Sequence, residues 1–360
     1  KILLLIDNQF RSTLLLLFFA KYLSISEFCL FLKTNPWQNM HNTIPSDSNN
    51  NLRGIYCILI GMVIVTIQDS TVKWLSPDYS LHQIMFIRSA IGLIIAITII
   101  LMDGGLQLMK TRHLGLQLTR GGLLIIANMA LFMAVAAMPI AEAIAIFFVA
   151  PLFITVLSIP ILKEKVGPRR WLAVIIGLSG VIIMMEPTAG IFDWASLLPL
   201  IAALAYALMQ MLTRKLGITD KASTMTFYNQ STLVIVSLII GLLIGDGKFS
   251  NMGHASLDFL FRAWIIPAQS DLWIFLVLGL TSGFGSYLLS QAYRLGEANL
   301  IAPFEYVSLP MSVVLGYLLW QDFPSYNGFA GMTLILGAGL YVLYREKITT
   351  EKHLEQNQND

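Results

Sequence analysis

Charged residues are scarce along the whole of this sequence. Only 12% of its 360 residues are Asp, Glu, Lys or Arg, about half of the share that is usual in a soluble domain. In their place, apolar runs recur every ~30 residues, each about long enough to cross the hydrocarbon core of a bilayer. These features exclude an ordinary soluble domain and predict a polytopic, all-α membrane protein.

Motifs of several other protein classes are also missing. The sequence has only two cysteines, Cys29 and Cys57, which cannot form a disulfide framework or a CxxC metal site. It has no GxxxxGKS or GxxxxGKT loop, so the chain does not itself hydrolyse nucleotides, and it has no HExxH metalloprotease motif. We therefore expect no metal, no cofactor and no nucleic-acid partner.

The first 39 residues differ from the rest of the chain. The first methionine is Met40, and the apolar stretch 12–32 is interrupted by two charged residues. This stretch is a signal peptide, an additional membrane segment or an artefact of gene-start assignment. We favour the artefact, in which the functional protein is 40–360 and 1–52 is an N-terminal extension.

The apolar segments predict ten membrane helices, numbered here in chain order, with ends defined to within several residues. The third and fourth are separated only by MPIAE (138–142), which predicts a tight hairpin. The predicted ranges are 53–74, 80–102, 118–138, 140–162, 169–186, 193–214, 223–245, 271–293, 297–320 and 327–345.

Lys and Arg concentrate on one side of the predicted bundle. Four segments on that side carry three or four basic residues each, whereas acids outnumber Lys and Arg on the other side. Because basic loops stay in the cytoplasm, both termini are predicted to be cytoplasmic. The basic segments are the loops 103–120, 163–170 and 214–221 and the C-terminal end from Arg345.

The two halves of the sequence resemble each other. AEA at 141–143 matches GEA at 296–298, and Pro151 matches Pro310. Since each half has five helices, an odd number, the second half enters the membrane from the opposite face. Inverted repeats of this kind are typical of transporters, with the binding site near the midplane. The first repeat is 53–186, the second is 193–345, and 346–360 is a cytoplasmic tail.

One carboxylate lies inside an apolar run, where charges are costly and usually face a cavity or a partner. Glu305 is placed between Pro303 and Pro310, and its counterpart in the first half, Ile146 or Ala150, is apolar. The fold alone therefore does not require an acid at this position. Backbone carbonyls freed by the prolines, together with the carboxylate, suit a proton or a cation. The alternative is a protonated Glu that makes one interhelical hydrogen bond.

Other ionisable residues lie near helix ends. Asp69 and Lys73 are four residues apart, so they are able to pair along one helix face. Arg88 lies about two turns into the second helix from the same side, which makes a contact with Asp69 reasonable. Such a contact is either part of a gate or a packing ion pair. Glu142 and Glu297 open the fourth and ninth helices and complement the helix dipole.

Polar and aromatic residues on the presumed pore-facing helices complete the candidate site. Aromatic rings with a few amide groups suit an amphipathic organic solute better than an inorganic ion. The alternative for each residue alone is a packing role. The residues are Asn128, Tyr206, Gln210, Tyr228, Asn229, Tyr287 and Gln291.

Two related segments, 141–184 and 309–343, follow the pattern of a Pro-led apolar run, an acidic turn and a Gly-rich helix. This pattern resembles the drug/metabolite transporter superfamily, specifically ten-helix proteins with two EamA domains. The second copy departs from it with Asp322 in place of Glu at the acidic turn. The resemblance implies a secondary active transporter of a small organic metabolite in the bacterial inner membrane, surrounded by lipid and working by alternating access.

The segments 68–89 and 118–124 look like the branch that includes carriers of S-adenosylmethionine and riboflavin. The resemblance therefore implies an amino-acid-like, S-adenosylmethionine-like or vitamin-like substrate. Coupling to protons would follow from the buried Glu305.

Two alternatives belong to other functional classes. GLSG (177–180) matches the GxSG of rhomboid-type proteases, but that chemistry needs a histidine base within reach of Ser179. All five histidines lie in tails, in loops or at a helix end, which argues against an intramembrane enzyme. The second alternative is a membrane receptor that binds a ligand and transports nothing.

Overall fold

A computed structural model of the protein describes residues 46–162, 168–185, 194–217, 219–250, 253–296, 301–338 and 340–341. Within these ranges the regular secondary structure is entirely helical, without a strand. The predicted all-α fold class is confirmed. The predictions for residues 1–45 and for the cytoplasmic tail fall outside the described residues.

The helices are numbered α1 to α12 in chain order. Three short 3-10 helices accompany them, at Leu106–Met109, Trp194–Leu197 and Ala302–Val307. The α-helices are α1 (Ser46–Leu75), α2 (Leu81–Asp103), α3 (Leu114–Ala137), α4 (Ile140–Phe147), α5 (Ala150–Leu162), α6 (Pro168–Met185), α7 (Leu198–Leu216), α8 (Ala222–Ile244), α9 (Ala255–Phe261), α10 (Leu272–Leu295), α11 (Ser308–Trp320) and α12 (326–338).

Six helical segments within the described residues are long and apolar enough to cross a bilayer. They coincide with the predicted first, second, third, sixth, seventh and eighth helices. Four further spans and the inverted repeat stay predictions. The six segments are Leu52–Leu75, Leu81–Asp103, Leu114–Ala137, Trp194–Thr213, Ala222–Ile244 and Leu272–Leu295.

The predicted fourth and ninth helices are not continuous, which corrects the sequence-based ranges. α4 ends at Phe147, and α5 begins at Ala150 with Pro151 in its first turn, where a missing backbone donor costs little. In the ninth helix, the segment Ala302–Val307 is a 3-10 helix that leads into α11. Glu305 thus lies in a tightened, interrupted stretch and not in the interior of a regular α-helix.

The segment between the predicted seventh and eighth helices contains the short helix α9. The chain after α9 folds back onto the start of α2. There, Gln83 Nε2 donates to the Ile265 carbonyl oxygen at 2.5 Å, and Arg262 Nη1 donates to the Ser76 carbonyl oxygen at 2.6 Å. These contacts close one end of the helix bundle.

Two apolar clusters hold the helices together. α2 packs mainly along α8 and α10, whereas α3 packs along α7. The larger cluster joins α3, α4 and α7 and is rich in alanine, whose small side chain allows helices to approach closely. The second cluster joins the end of α1 and the start of α2 to α3, α8, α9 and α10. Residues of both clusters line a central cavity.

Gly279 on α10 marks the closest approach to α2. A Cβ atom at this position would lie 2.4 Å from the Cβ of Ile91, well inside van der Waals contact. Ile91 is β-branched and stiff, so it cannot move aside by a simple rotamer change. By contrast, a Cβ atom at Gly122 on α3 would meet nothing within 4 Å.

We predict that Gly279→Ala lowers the free energy of unfolding by about 1–3 kcal/mol because α2 and α10 must separate. Thermal unfolding of the purified protein in detergent measures this effect. Gly122→Ala is the matched control and should leave the melting temperature unchanged or raise it, since alanine favours a helix. Equal melting temperatures for both variants would contradict the close contact.

Candidate functional site

A cavity of about 140 Å³ lies at the centre of the described helices. Its walls come from α1, α2, α3, α4, α7, α8 and α10 and from the segment that leads into α11. Charged groups of both signs line it, namely two carboxylates and two guanidinium groups. Seven of the predicted candidates lie in its wall: Asp69, Arg88, Asn128, Tyr206, Gln210, Asn229 and Glu305.

Glu305 accepts hydrogen bonds from two phenols. Its side chain is 1% exposed, and its Oε1 atom accepts from Tyr206 Oη at 2.7 Å and from Tyr293 Oη. Gln210 Nε2 in turn donates to Tyr206 Oη at 2.7 Å. Among the described residues, no hydrogen-bond donor reaches the second oxygen, Oε2. One half of the carboxylate is held firmly, and the other half is free to take a ligand or a proton.

Helix periodicity explains why these groups converge. Tyr206 and Gln210 are four residues apart on α7, so they lie on one face. Tyr293 lies on the face of α10 that also carries Ser286 and Ser290, both of which line the cavity. Sequence reasoning missed Tyr293, although its spacing from these serines was a usable signal.

Two side chains contact the Arg88 guanidinium group, but part of its hydrogen-bonding capacity is unused. It is 1% exposed, its Nη2 donates to Asn128 Oδ1 at 2.8 Å, and its guanidinium carbon lies 4.9 Å from the centre of the Phe132 ring. Its Nε is buried without a hydrogen-bond partner. Arg88 and Asp69 form no ion pair within 4.0 Å, so the structure gives no direct contact between them.

Lys73 does not pair with Asp69, and that sequence-based pairing is wrong. Lys73 Nζ lies 3.2 Å from Asp322 Oδ2 and donates to the Met138 carbonyl oxygen at 3.2 Å. It also lies 5.1 Å from the Trp320 ring centre. Because Lys73 lies in the last turn of α1, its long side chain reaches the turn after α11 more readily than the buried Asp69. This ion pair joins the two halves of the chain at one end of the bundle.

Arg120 was counted among loop residues, but it is 1% exposed within α3 and lines the cavity. Its Nε donates to Thr213 Oγ1 at 2.7 Å, its Nη1 to the Met225 carbonyl oxygen at 3.2 Å and its Nη2 to Ser290 Oγ at 3.2 Å. The guanidinium group therefore ties α3 to α7, α8 and α10. The basic character of the loop before it rests on the two remaining residues, Lys110 and Arg112.

Three predicted candidates lie outside the cavity wall. Tyr228 donates its hydroxyl to the Met109 carbonyl oxygen at 2.8 Å. Tyr287 packs with Ile99 in a small apolar cluster, and Gln291 is half-buried on α10. In contrast, the cavity wall includes Gln68, Ser282, Ser286 and Ser290, which sequence reasoning did not select.

The remaining residues singled out from the sequence are the two acids at helix starts, Glu142 and Glu297, and the serine of the protease-like motif, Ser179. Glu142 lies in the first turn of α4 as predicted, whereas Glu297 falls outside the described residues. Ser179 donates its hydroxyl to the Ile176 carbonyl oxygen of its own helix at 2.7 Å. In the described part of the chain, no histidine hydrogen-bonds to Ser179.

Helices that cross a membrane around a cavity with aromatic, amide and charged walls are typical of small-metabolite transporters. Residues 52–186 match the EamA-like transporter family. The chain belongs to this family, within the drug/metabolite transporter superfamily, and is an integral membrane protein of the bacterial plasma membrane that transports a small metabolite.

Curated relatives are similar over most of their length. The chain is 31% identical to a riboflavin transporter of Rhizobium johnstonii over 67% of this chain and 74% of that one. It is 25% identical to an S-adenosylmethionine uptake transporter of Rickettsia prowazekii over 85% and 97%. It is 22% identical to a pseudopaline exporter of Pseudomonas aeruginosa over 79% and 94%.

A protein of known crystal structure shares the fold, with a TM-score of 0.57 and 19% identity. The similarity covers 81% of this chain and 95% of that one.

We predict that Arg120→Met lowers the free energy of unfolding by roughly 2–4 kcal/mol, because Thr213, Ser290 and the Met225 carbonyl lose a buried donor. The measurement is thermal unfolding in detergent. Arg112→Met, at an exposed loop position, is the control and should change stability by less than about 0.5 kcal/mol. A similar loss in both variants would show that Arg120 does not tie the helices together.

Proposed function

We propose that the protein is a secondary carrier with ten membrane helices in two inverted repeats, and that its substrate binds in the central cavity. The observation that carries this proposal is the cavity itself, which both halves of the chain line. Asp69, Arg88 and Asn128 come from the first half, whereas Tyr206 and Glu305 come from the second. If one repeat rocks against the other, a site that both repeats line is exposed to each side of the membrane in turn.

The surroundings of the cavity favour an amphipathic organic substrate. Phe132, Phe147 and Phe148 supply aromatic walls, and Asn128 and Gln230 supply amide groups. The relatives named for S-adenosylmethionine, riboflavin and pseudopaline point to the same broad class of cargo. The volume of about 140 Å³ is close to that of an engineered cavity of ~150 Å³ that holds benzene. Larger metabolites therefore require the bundle to open, as alternating access demands.

One polar layer lies toward each end of the bundle and suits the role of a gate. The Lys73–Asp322 ion pair lies at the end predicted to be external, and the Arg120 network lies toward the end predicted to be cytoplasmic. Each joins the first half of the chain to the second. Alternating access would break one layer while the other stays closed.

Transport into proteoliposomes of radiolabelled S-adenosylmethionine or riboflavin tests the proposed function. A carrier accumulates one of them across the membrane, and empty liposomes do not. A receptor would bind a ligand without flux, and an intramembrane enzyme would release a cleaved product. Either of those results would refute transport as the function.

Glu305 is the proposed coupling group, because one of its oxygens is free and it has no charged partner among the described residues. We predict that Glu305→Gln reduces transport driven by a pH gradient at least tenfold. Glutamine keeps the size of the side chain and can still accept from Tyr206 and Tyr293, so the protein should fold. Uptake with and without an imposed pH gradient is the measurement.

Asp246→Asn is the matched control for Glu305→Gln. Asp246 lies in a solvent-exposed turn, paired with Lys248, and removing its charge should leave the pH dependence unchanged. A Glu305→Gln variant that responds to the pH gradient like the wild type would eliminate Glu305 as the coupling group.

Single cysteines report the predicted orientation. In a variant whose own Cys29 and Cys57 are replaced by serine, Arg112→Cys should react with a membrane-impermeant maleimide only after the cells are opened. Tyr326→Cys, at a residue that is 96% exposed, should react in intact cells. Labelling of both from the same side contradicts the inverted topology.

A further inference from the structure

Two side chains of opposite charge type in the cavity wall, Asp69 and Arg88, form no direct ion pair with any described residue. Asp69 is 6% exposed, and no hydrogen bond or ion pair reaches its carboxylate from any described residue. Arg88 is 1% exposed, and within the described part of the chain it makes a single hydrogen bond, to Asn128, although a guanidinium group carries five donors. Both side chains are therefore buried, charged and incompletely bonded at the same cavity.

Such an arrangement is energetically unfavourable without an occupant. An isolated buried charge loses its hydration, and proteins normally compensate by pairing it. Asp69 and Arg88 do not compensate each other by direct contact, because their charged atoms lie more than 4.0 Å apart. The remaining attraction acts across the space between them. A ligand that brings one charge of each sign would satisfy both groups.

The surroundings of Arg88 fix its direction. Asn128 holds one terminal nitrogen, and the Phe132 ring lies against the plane of the guanidinium group at 4.9 Å. These contacts keep the group in place, and its remaining donors have no acceptor among the described residues. A preorganised guanidinium group is well suited to a carboxylate, which it binds through two parallel hydrogen bonds.

We infer that Asp69 and Arg88 form a subsite for the zwitterionic head group of the substrate. The carboxylate of that head group pairs with Arg88, and its ammonium group pairs with Asp69. The inference rests on the proposed function and specifies the chemical class of the cargo. A simple cation would leave Arg88 unpaired, and a simple anion would leave Asp69 unpaired. A zwitterion satisfies both and adds no net charge to the buried site.

The rest of the substrate then lies along the apolar part of the cavity. Phe132, Phe147 and Phe148 offer ring faces, and Glu305 with its tyrosines lies on another wall. The head-group subsite belongs to α1, α2 and α3, whereas Glu305 is held by α7 and α10. Head-group recognition and the proposed coupling group thus use different helices.

Binding to the purified protein by isothermal titration calorimetry tests this inference. The zwitterionic probes are S-adenosylmethionine and phenylalanine. Decarboxylated S-adenosylmethionine and phenylalanine methyl ester lack the carboxylate charge, and N-acetylphenylalanine lacks the ammonium charge. We expect at least one zwitterion to bind the wild type about tenfold or more tightly than its charge-deleted analogues.

Two charge-neutralising variants assign each charge to its residue. Arg88→Gln should remove the preference for a carboxylate while keeping the preference for an ammonium group. Asp69→Asn should do the reverse. Arg88→Lys keeps the charge without the fork of donors, so it should retain the carboxylate preference with weaker affinity. This variant keeps the test decisive where Arg88→Gln fails to fold.

Three outcomes would overturn the inference. They are that neither zwitterion binds, that the analogues bind as tightly as the zwitterions, or that the variants keep the preferences of the wild type. Flux of riboflavin without binding of either zwitterion would refute the zwitterion subsite and leave the transport function intact. The absence of flux for every probe would count against the proposed function itself.

Discussion

The hydrocarbon core of a membrane offers no hydrogen-bond partner, so every buried charge in this protein depends on what the helices themselves supply. Three ionisable groups at the cavity differ in how far hydrogen bonds from the protein replace their lost hydration. Arg120 donates to α7, α8 and α10 and acts as a structural tie. Glu305 has one oxygen bonded and one free. Asp69 has no hydrogen bond and no ion pair among the described residues. Incomplete compensation is what distinguishes groups available for a ligand from groups that hold the fold.

The breaks in the helices also follow from the lack of hydrogen-bond partners in the membrane core. In the segment Ala302–Val307 the backbone adopts a 3-10 conformation, which suits a stretch where Pro303 removes a donor. A corresponding break separates α4 from α5 in the first half of the chain. Irregular backbone at membrane depth is tolerated where it lines a cavity, and residues of both segments do line the cavity. The breaks therefore place Glu305 and Phe148 in the cavity wall.

Local patterns were sufficient to predict much of the architecture and seven residues of the cavity wall. Apolar runs gave the long helices, and the rarity of charge singled out Glu305, Asp69 and Arg88. Contacts between residues that are far apart in the sequence were not predicted correctly. Spacing along one helix suggested Lys73 with Asp69, but the true partner, Asp322, lies on a turn that the sequence does not bring near. Arg120 was taken for a loop residue because nothing local reveals Thr213 and Ser290 as its acceptors.

The two carboxylates of the cavity wall, Asp69 and Glu305, belong to different segments of the chain, and this bears on how coupling would work. Among the described residues, Glu305 is hydrogen-bonded only to neutral phenols. A proton bound there therefore changes the charge of its wall without occupying the proposed head-group subsite at Asp69 and Arg88. Both line one cavity and are themselves buried, and the low dielectric around buried groups strengthens interactions between charges. A proton on Glu305 and a zwitterion at Asp69 and Arg88 are therefore able to bind together and still influence each other's affinity. By thermodynamic linkage, that influence must be equal in both directions.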